Sequence, residues 1–203
     1  MPTATTKRAS GFAIHTPKAK RGGVQLSNIV SVGIDPGVGT TAMVATSGDQ
    51  YFGTTIIRPE EGLPENVRYL NIAEQVLAEL EETPPDIIGI EGFSLQSRGS
   101  GVSKMYGVGW AIRFVMMYNQ YEFAEVPPST WKKYVGGMAR NRGASKKQLS
   151  EAVTKRWDFS HPVQDAHDAY AISRMMYEYQ LGSLSDTDTY LAIYNGLRGN
   201  VRK

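Results

Sequence analysis

The stretch Ile29-Val30-Ser31-Val32-Gly33-Ile34-Asp35-Pro36-Gly37-Val38-Gly39-Thr40 carries the first decision about the fold. A run of strand character, Ile29–Ile34, stops abruptly at an acid and a Pro-Gly turn. Two more strand-like runs follow, Thr40–Thr46 and Tyr51–Arg58, joined by Ser-Gly-Asp. Short turns between such runs predict an antiparallel meander. Pro64–Glu82 then spaces Val67, Leu70, Ala73, Val76, Leu77 and Leu80 as one face of a helix, and Pro84-Pro85 stops it. Ile87–Ile90 reads as a short buried strand. A Gly/Ser-rich loop leads to a helix over about Val102–Tyr118, and Phe123–Val126 is a further strand. Ser129 and Ser145 stand where helix N-caps belong, the second opening a helix through Trp157. The last strong helix runs from about Pro162 to Gln180. Strands first in a meander and then alternating with helices predict an α/β protein, a mixed sheet covered on both faces.

The 203 residues fit one good-sized domain with appendages. We expect a basic arm over 1–28, a domain over 29–182 and a tail over 183–203. The absence of cysteine excludes disulfide scaffolds, thiolate metal sites and cysteine nucleophiles. No run approaches the length of a membrane span and no secretory signal is apparent, so we expect no membrane partner. A cytoplasmic location is expected, ahead of a mitochondrial one. Of 22 basic residues, five precede Asp35 in a stretch without acids, which leaves 17 against 20 acidic residues in the remainder. The arm reads equally as a solvated tail or as a DNA-contacting segment.

Four acids draw attention. Asp35 and Glu91 each end an apolar run, where an ionised carboxylate loses hydration unless a positive group replaces it. Asp165 and Asp168 open the last helix. At 100° per residue they share an arc of about 100° with Ile172, Met175, Met176 and Tyr179, the inward face. One acid in a first turn is explained by the helix dipole, whereas two on the core side are explained poorly. Taken singly, Asp35 is also a good turn residue and Glu91 a possible solvent-facing strand end. Together the four suggest a phosphodiesterase that uses hard divalent cations, which prefer oxygen ligands.

The series Ile34-Asp35-Pro36-Gly37, Ile90-Glu91-Gly92-Phe93 and Gln164-Asp165-Ala166-His167-Asp168-Ala169 resembles RuvC-type Holliday junction resolvases of the ribonuclease-H-like superfamily. The resemblance covers roughly Val30–Tyr179, in a divergent, bacteriophage-like form. It implies a ribonuclease-H-like sheet and a homodimer that binds a four-way DNA junction and nicks two opposed strands. It also implies a cytoplasmic enzyme of a bacterial or phage-infected cell. On this reading Asp35, Glu91, Asp165 and Asp168 hold two Mg²⁺ ions, with Mn²⁺ as a substitute, for in-line hydrolysis of a phosphodiester. The products then carry 5′-phosphates and 3′-hydroxyls. Some relatives place a histidine where Asp165 stands here. His167 points about 200° away from Asp165 and is treated as a neighbour, and His161 as a residue shaping the helix start.

DNA-contact candidates are Lys132 and Lys133, in the region where the family carries a basic phosphate contact, with Lys146, Lys147, Arg140 and Arg142. Phe93 and Arg98 lie just past Glu91, where relatives use an aromatic to unstack bases. The competing readings are a solvated face for the basic residues and a core position for Phe93. Tyr106 and Trp110 read as packing or dimer-interface groups. Two other functions fit the same fold: a nuclease for flaps, forks or RNA–DNA hybrids, and a catalytically silent DNA-binding module. A sugar-kinase-like ATPase would need a second phosphate loop that the chain lacks.

Overall fold

The computed structural model describes residues 29–48, 50–93, 101–136 and 145–200, except for the side chains of 198–200. Five strands form one sheet: β1 Ser31–Asp35, β2 Thr41–Ser47, β3 Gln50–Ile57, β4 Ile87–Glu91 and β5 Ala124–Val126, in the order β3-β2-β1-β4-β5. The first three make the expected antiparallel meander, and β4 and β5 add in parallel beyond β1. The helices are α1 Glu65–Glu82, α2 Val102–Tyr118, α3 Pro128–Gly136, α4 Lys146–Trp157, α5 Asp165–Gln180 and α6 Thr187–Asn200.

Strand alternation divides the core in two. Val32 and Ile34 of β1, Met43 of β2 and Ile88 and Ile90 of β4 pack beneath α1 and α2, against Ile72, Val76, Leu80, Val108, Ile112 and Met116. The opposite face of β2 presents Ala42 and Val44 to the layer built from α3, α4 and α5. On that same face lie Ser31-Gly33-Asp35 of β1 and Ile87-Gly89-Glu91 of β4, in register so that Gly33 is the partner of Gly89.

The two glycines admit α5. A Cβ on Gly33 would stand 2.0 Å from the backbone oxygen of Ala169, and one on Gly89 would stand 2.6 Å from Met176 Cγ and 2.7 Å from Ile172 Cγ2. A turn further along, Ser173 Oγ meets Thr46 Oγ1 at 2.8 Å and Ser31 Oγ at 3.1 Å, so three buried hydroxyls satisfy one another across β1, β2 and α5. With the sheet on one side and α3, α4 and α6 around it, α5 is buried continuously from Ala166 to Met176. The periodic stripe seen in sequence is therefore only part of its buried surface.

Two sequence expectations change. Ser129 lies inside α3, which begins at Pro128, a residue suited to a first turn because it has no N–H to leave unpaired. The stretch after Gly182, expected as a polar tail, carries α6, with Thr189 and Ile193 buried. Ser145 does cap α4, in a reciprocal capping box with Gln148. The basic arm, Arg98, Arg140 and Arg142 lie outside the described residues.

The two glycines differ in what a methyl group would strike. Gly33→Ala meets backbone and should cost about 3 kcal/mol or more, whereas Gly89→Ala meets flexible side-chain ends and should cost nearer 1 kcal/mol. Urea unfolding of both variants checks the order, and equal losses would refute the close approach of α5 to β1.

Candidate active site

Asp35 and Glu91 end adjacent parallel strands on the α5 face, each two residues beyond the glycine that seats the helix. Asp165 and Asp168 sit in the first turn of α5, at the same end of the sheet. The carboxyl ends of parallel strands are where open α/β sheets place their binding crevices. The structure thus brings together the four acids that the sequence scatters over more than a hundred residues.

Their electrostatics are those of crowded carboxylates. Asp35 is buried, and its pKa is raised well above the ordinary range. Burial is the main cause, followed by the charges of Glu91 and Asp168, a hydrogen bond shared with the Glu91 carboxyl, and the charge of Asp165. Asp168 is pushed up to about 7 by burial and then by Glu91, with Lys146 and Lys132 pulling the other way. A divalent cation would offset the crowded negative charge, and oxygen donors of this kind suit a hard ion. Among the described residues, however, no three acid or histidine side chains form a ready-made metal cage. The four acids are neighbours that a cation would have to draw together against their mutual repulsion.

Each acid has its own support. Trp131 Nε1 donates to Glu91 Oε1 at 2.9 Å, and Arg113 Nη2 donates to the Glu91 carbonyl at 2.9 Å. Arg113 is itself buried, bonded to Glu125 Oε1 at 2.6 Å and to the Gly109 carbonyl, with its guanidinium 4.3 Å over the Phe93 ring. Lys146 Nζ donates to Asp165 Oδ1 at 2.8 Å. Burial lowers the Lys146 pKa, but the Asp165 hydrogen bond and the Asp165, Asp35 and Asp168 charges raise it further, so the net shift is upward.

The remaining candidates separate. Lys132 lies near enough to act on Asp168 and sits 5.2 Å over the Trp131 ring. Lys133 turns to α6, donating to Asp186 at 3.1 Å and facing Asp188 at 3.6 Å. Lys147 faces Glu151 and a depression it shares with Lys155 and His161. Phe93 is half-buried, edge-on to Tyr106 at 4.8 Å and tilted against Trp110 at 5.4 Å. His167 is buried edge-on to Phe159, and His161 Nδ1 accepts the Val163 N–H at 3.1 Å, closing the turn before α5. Trp131 and Arg113 were not singled out by sequence. They stand 40 and 22 residues from Glu91, beyond the reach of any local pattern.

The family model described as crossover junction endodeoxyribonuclease RuvC matches residues 31–175. Among solved structures, T. thermophilus RuvC in complex with Holliday junction substrate matches with a TM-score of 0.64 at 17% identity, covering 77% of this chain and 98% of that one. The Thermus thermophilus RuvC structure matches with a TM-score of 0.62 at 17% identity, over 76% and 98% of the respective chains. At that identity the likeness is one of fold, and the fold is ribonuclease-H-like. No curated protein matches the chain.

The raised carboxyls carry a stability consequence. An acid whose folded pKa lies above its unfolded value binds its proton more tightly when folded, so its contribution is present at low pH and lost as pH rises through the folded pKa. For Asp168 the window runs from about 4 to about 7, with a loss of up to about 4 kcal/mol. In metal-free buffer the wild type should melt at a lower temperature at pH 8 than at pH 5.5. Asp168→Asn should flatten that slope, and an unchanged slope would refute the crowding of Asp168.

Proposed function

This chain belongs to the RuvC family of crossover junction endodeoxyribonucleases, and we propose that it resolves four-way DNA junctions as a homodimer by paired nicks dependent on Mg²⁺. Nucleases of this family are metal-dependent. The observation that carries the finer reading is the convergence of Asp35, Glu91, Asp165 and Asp168 at one end of the sheet, close enough for the other three to raise the pKa of Asp35.

We assign all four acids as ligands for two Mg²⁺ ions, with Mn²⁺ as a substitute. When bound, such ions lower the pKa of water and offset charge on the attacking and leaving oxygens of a phosphodiester. The protein supplies placement. Asp35 and Asp168 are held by the sheet and the α5 backbone, Glu91 by Trp131 and Arg113, and Asp165 by Lys146. Burial keeps bulk water from dispersing the charge of Asp35 and Asp168. Lys132 and Lys146, the ammonium groups that face the acids, are assigned to the phosphates beside the scissile bond, where cations lower the cost of bringing DNA to a negative site. Phe93 is engaged with α2 and would contact a base only by leaving that cluster.

Support for the dimer comes from α2. Trp110, Phe114 and Tyr118 recur every four residues on its outer side, 45%, 60% and 70% exposed, with Trp110 and Phe114 stacked at 5.5 Å. An aromatic stripe of that extent on a soluble surface marks a contact with another macromolecule, and a two-fold partner presents the same stripe in return. No helix among the described residues is long and apolar enough to cross a membrane. We place the enzyme in the cytoplasm, with the DNA it cuts.

Labelled four-way junctions, flaps, forks, RNA–DNA hybrids and linear duplexes test the activity. The wild type with Mg²⁺ should give symmetric nicks on the junction, and Asp35→Asn should bind the junction while cutting none of the set. Cleavage by Asp35→Asn at the wild-type rate would refute the metal assignment, and equal cutting of flaps or hybrids would refute strict junction selectivity. For the dimer, Phe114→Glu should shift sedimentation to the monomer. A wild type that already sediments as a monomer would remove the basis for paired nicking.

A further inference from the structure

We propose that Trp131 is the positioning residue for Glu91: its indole N–H holds one carboxylate oxygen so that Glu91 meets a divalent cation in a fixed orientation. The inference rests on the assignment of Glu91 as a metal ligand.

The backbone around Glu91 is already fixed without Trp131. Arg113 Nη2 donates to the Glu91 carbonyl at 2.9 Å, and the Gly92 N–H donates to the Val126 carbonyl at 2.8 Å, extending the β4–β5 ladder by one bond. What those bonds leave undetermined is the rotamer of a flexible, half-buried side chain. The indole pins one of its two oxygens to the core. Trp131 is fully buried in the core beneath α3, so its ring cannot follow a wandering carboxylate, and its 2.9 Å hydrogen bond selects one position.

The chemistry of the donor supports a role toward a cation. An indole N–H can only donate: it takes up no proton and ligates no metal. It is also neutral, so it orients the carboxylate without cancelling its charge. Asp165 shows the opposite arrangement, because Lys146 at 2.8 Å brings a full positive charge that competes with any cation. At Glu91 the indole thus fixes one carboxylate oxygen and adds no charge of its own. Hydrogen-bond partners that orient a ligand affect metal affinity by about 10- to 100-fold.

The test uses the full chain and measures metal binding apart from catalysis. Mn²⁺ binding is followed by calorimetry without DNA for wild type, Trp131→Phe and Glu91→Gln, with urea midpoints as a check on folding. Trp131→Phe should bind Mn²⁺ about tenfold more weakly. Its junction affinity without metal should be unchanged, and its cleavage should recover at high metal concentration. A role in packing alone would lower the urea midpoint without moving the metal affinity, and that result overturns the inference. If Glu91→Gln weakens binding while Trp131→Phe does not, the inference fails and the Glu91 assignment stands. If Glu91→Gln binds as wild type does, both fail. Should Trp131→Phe not fold, benzothienylalanine at position 131 keeps the ring shape and removes only the N–H, and the same outcomes apply.

Discussion

Contact between the backbones of α5 and β1, permitted by the missing side chain of Gly33, fixes the geometry of the acid end of the sheet. Helix and strand meet along a short line with three levels. Ser173 bonds Ser31 at the first, and Ala169 and Ser173 press on Gly33 at the second. At the third, two residues along β1 from Gly33 and one residue back along α5 from Ala169, stand Asp35 and Asp168. Gly89 repeats the arrangement on β4, with Ile172 and Met176 above it and Glu91 two residues on. A larger residue at the middle level would lift the helix and separate the acids, even though neither glycine takes part in any chemistry.

The arrangement opposes folding at the site itself. Four acids gather where burial and mutual charge raise at least two of their pKa values, and two lysines act as counter-charges to Asp168. Stability has to come from elsewhere, and the division of the core shows where. Each sheet face has its own apolar cluster, one under α1 and α2 and one under α3, α4, α5 and α6, so the sheet is held from both sides behind its acid end. The electrostatic conflict is confined to the strand ends, as expected of a site arranged for a ligand that the chain itself does not contain.

Legibility in the sequence follows the range of each interaction. Strand ends, the amphipathic arc of α5 and the capping box at Ser145 are local patterns, so the meander, the parallel strands and the shared face of Asp165 and Asp168 could all be read from them. The lysines were legible only as pairs. Neighbouring residues on a helix point about 100° apart, so Lys146 reaches Asp165 while Lys147 faces Glu151, and only the packing of α4 on α5 decides which does which. Trp131 and Arg113 left no trace, because a hydrogen bond across 40 or 22 residues has no period. Helix α6 was missed for a compositional reason: the Ser, Asp and Thr residues of 183–189, which serve as caps and turns, read as a boundary, and the short apolar run behind them read as a tail.

Helix α6 also extends the support of the site beyond the expected domain. The outer edge of β5 would otherwise offer unpaired backbone groups, and α6 comes so close that a Cβ on Gly196 would lie 2.9 Å from the Glu125 carbonyl oxygen and 3.1 Å from its nitrogen. Asp186 accepts the Thr189 N–H at 3.0 Å at the start of the helix and also receives Lys133 from α3. That ion pair is more than a third exposed at both ends and contributes little by itself. The buried Thr189 and Ile193 and the approach at Gly196 hold α6 in place. The ion pair instead sets direction, turning Lys133 away from the acids while Lys132, the residue before it, stays near them. Because α3 also carries Trp131, a helix after the expected domain boundary buttresses the element that orients Glu91.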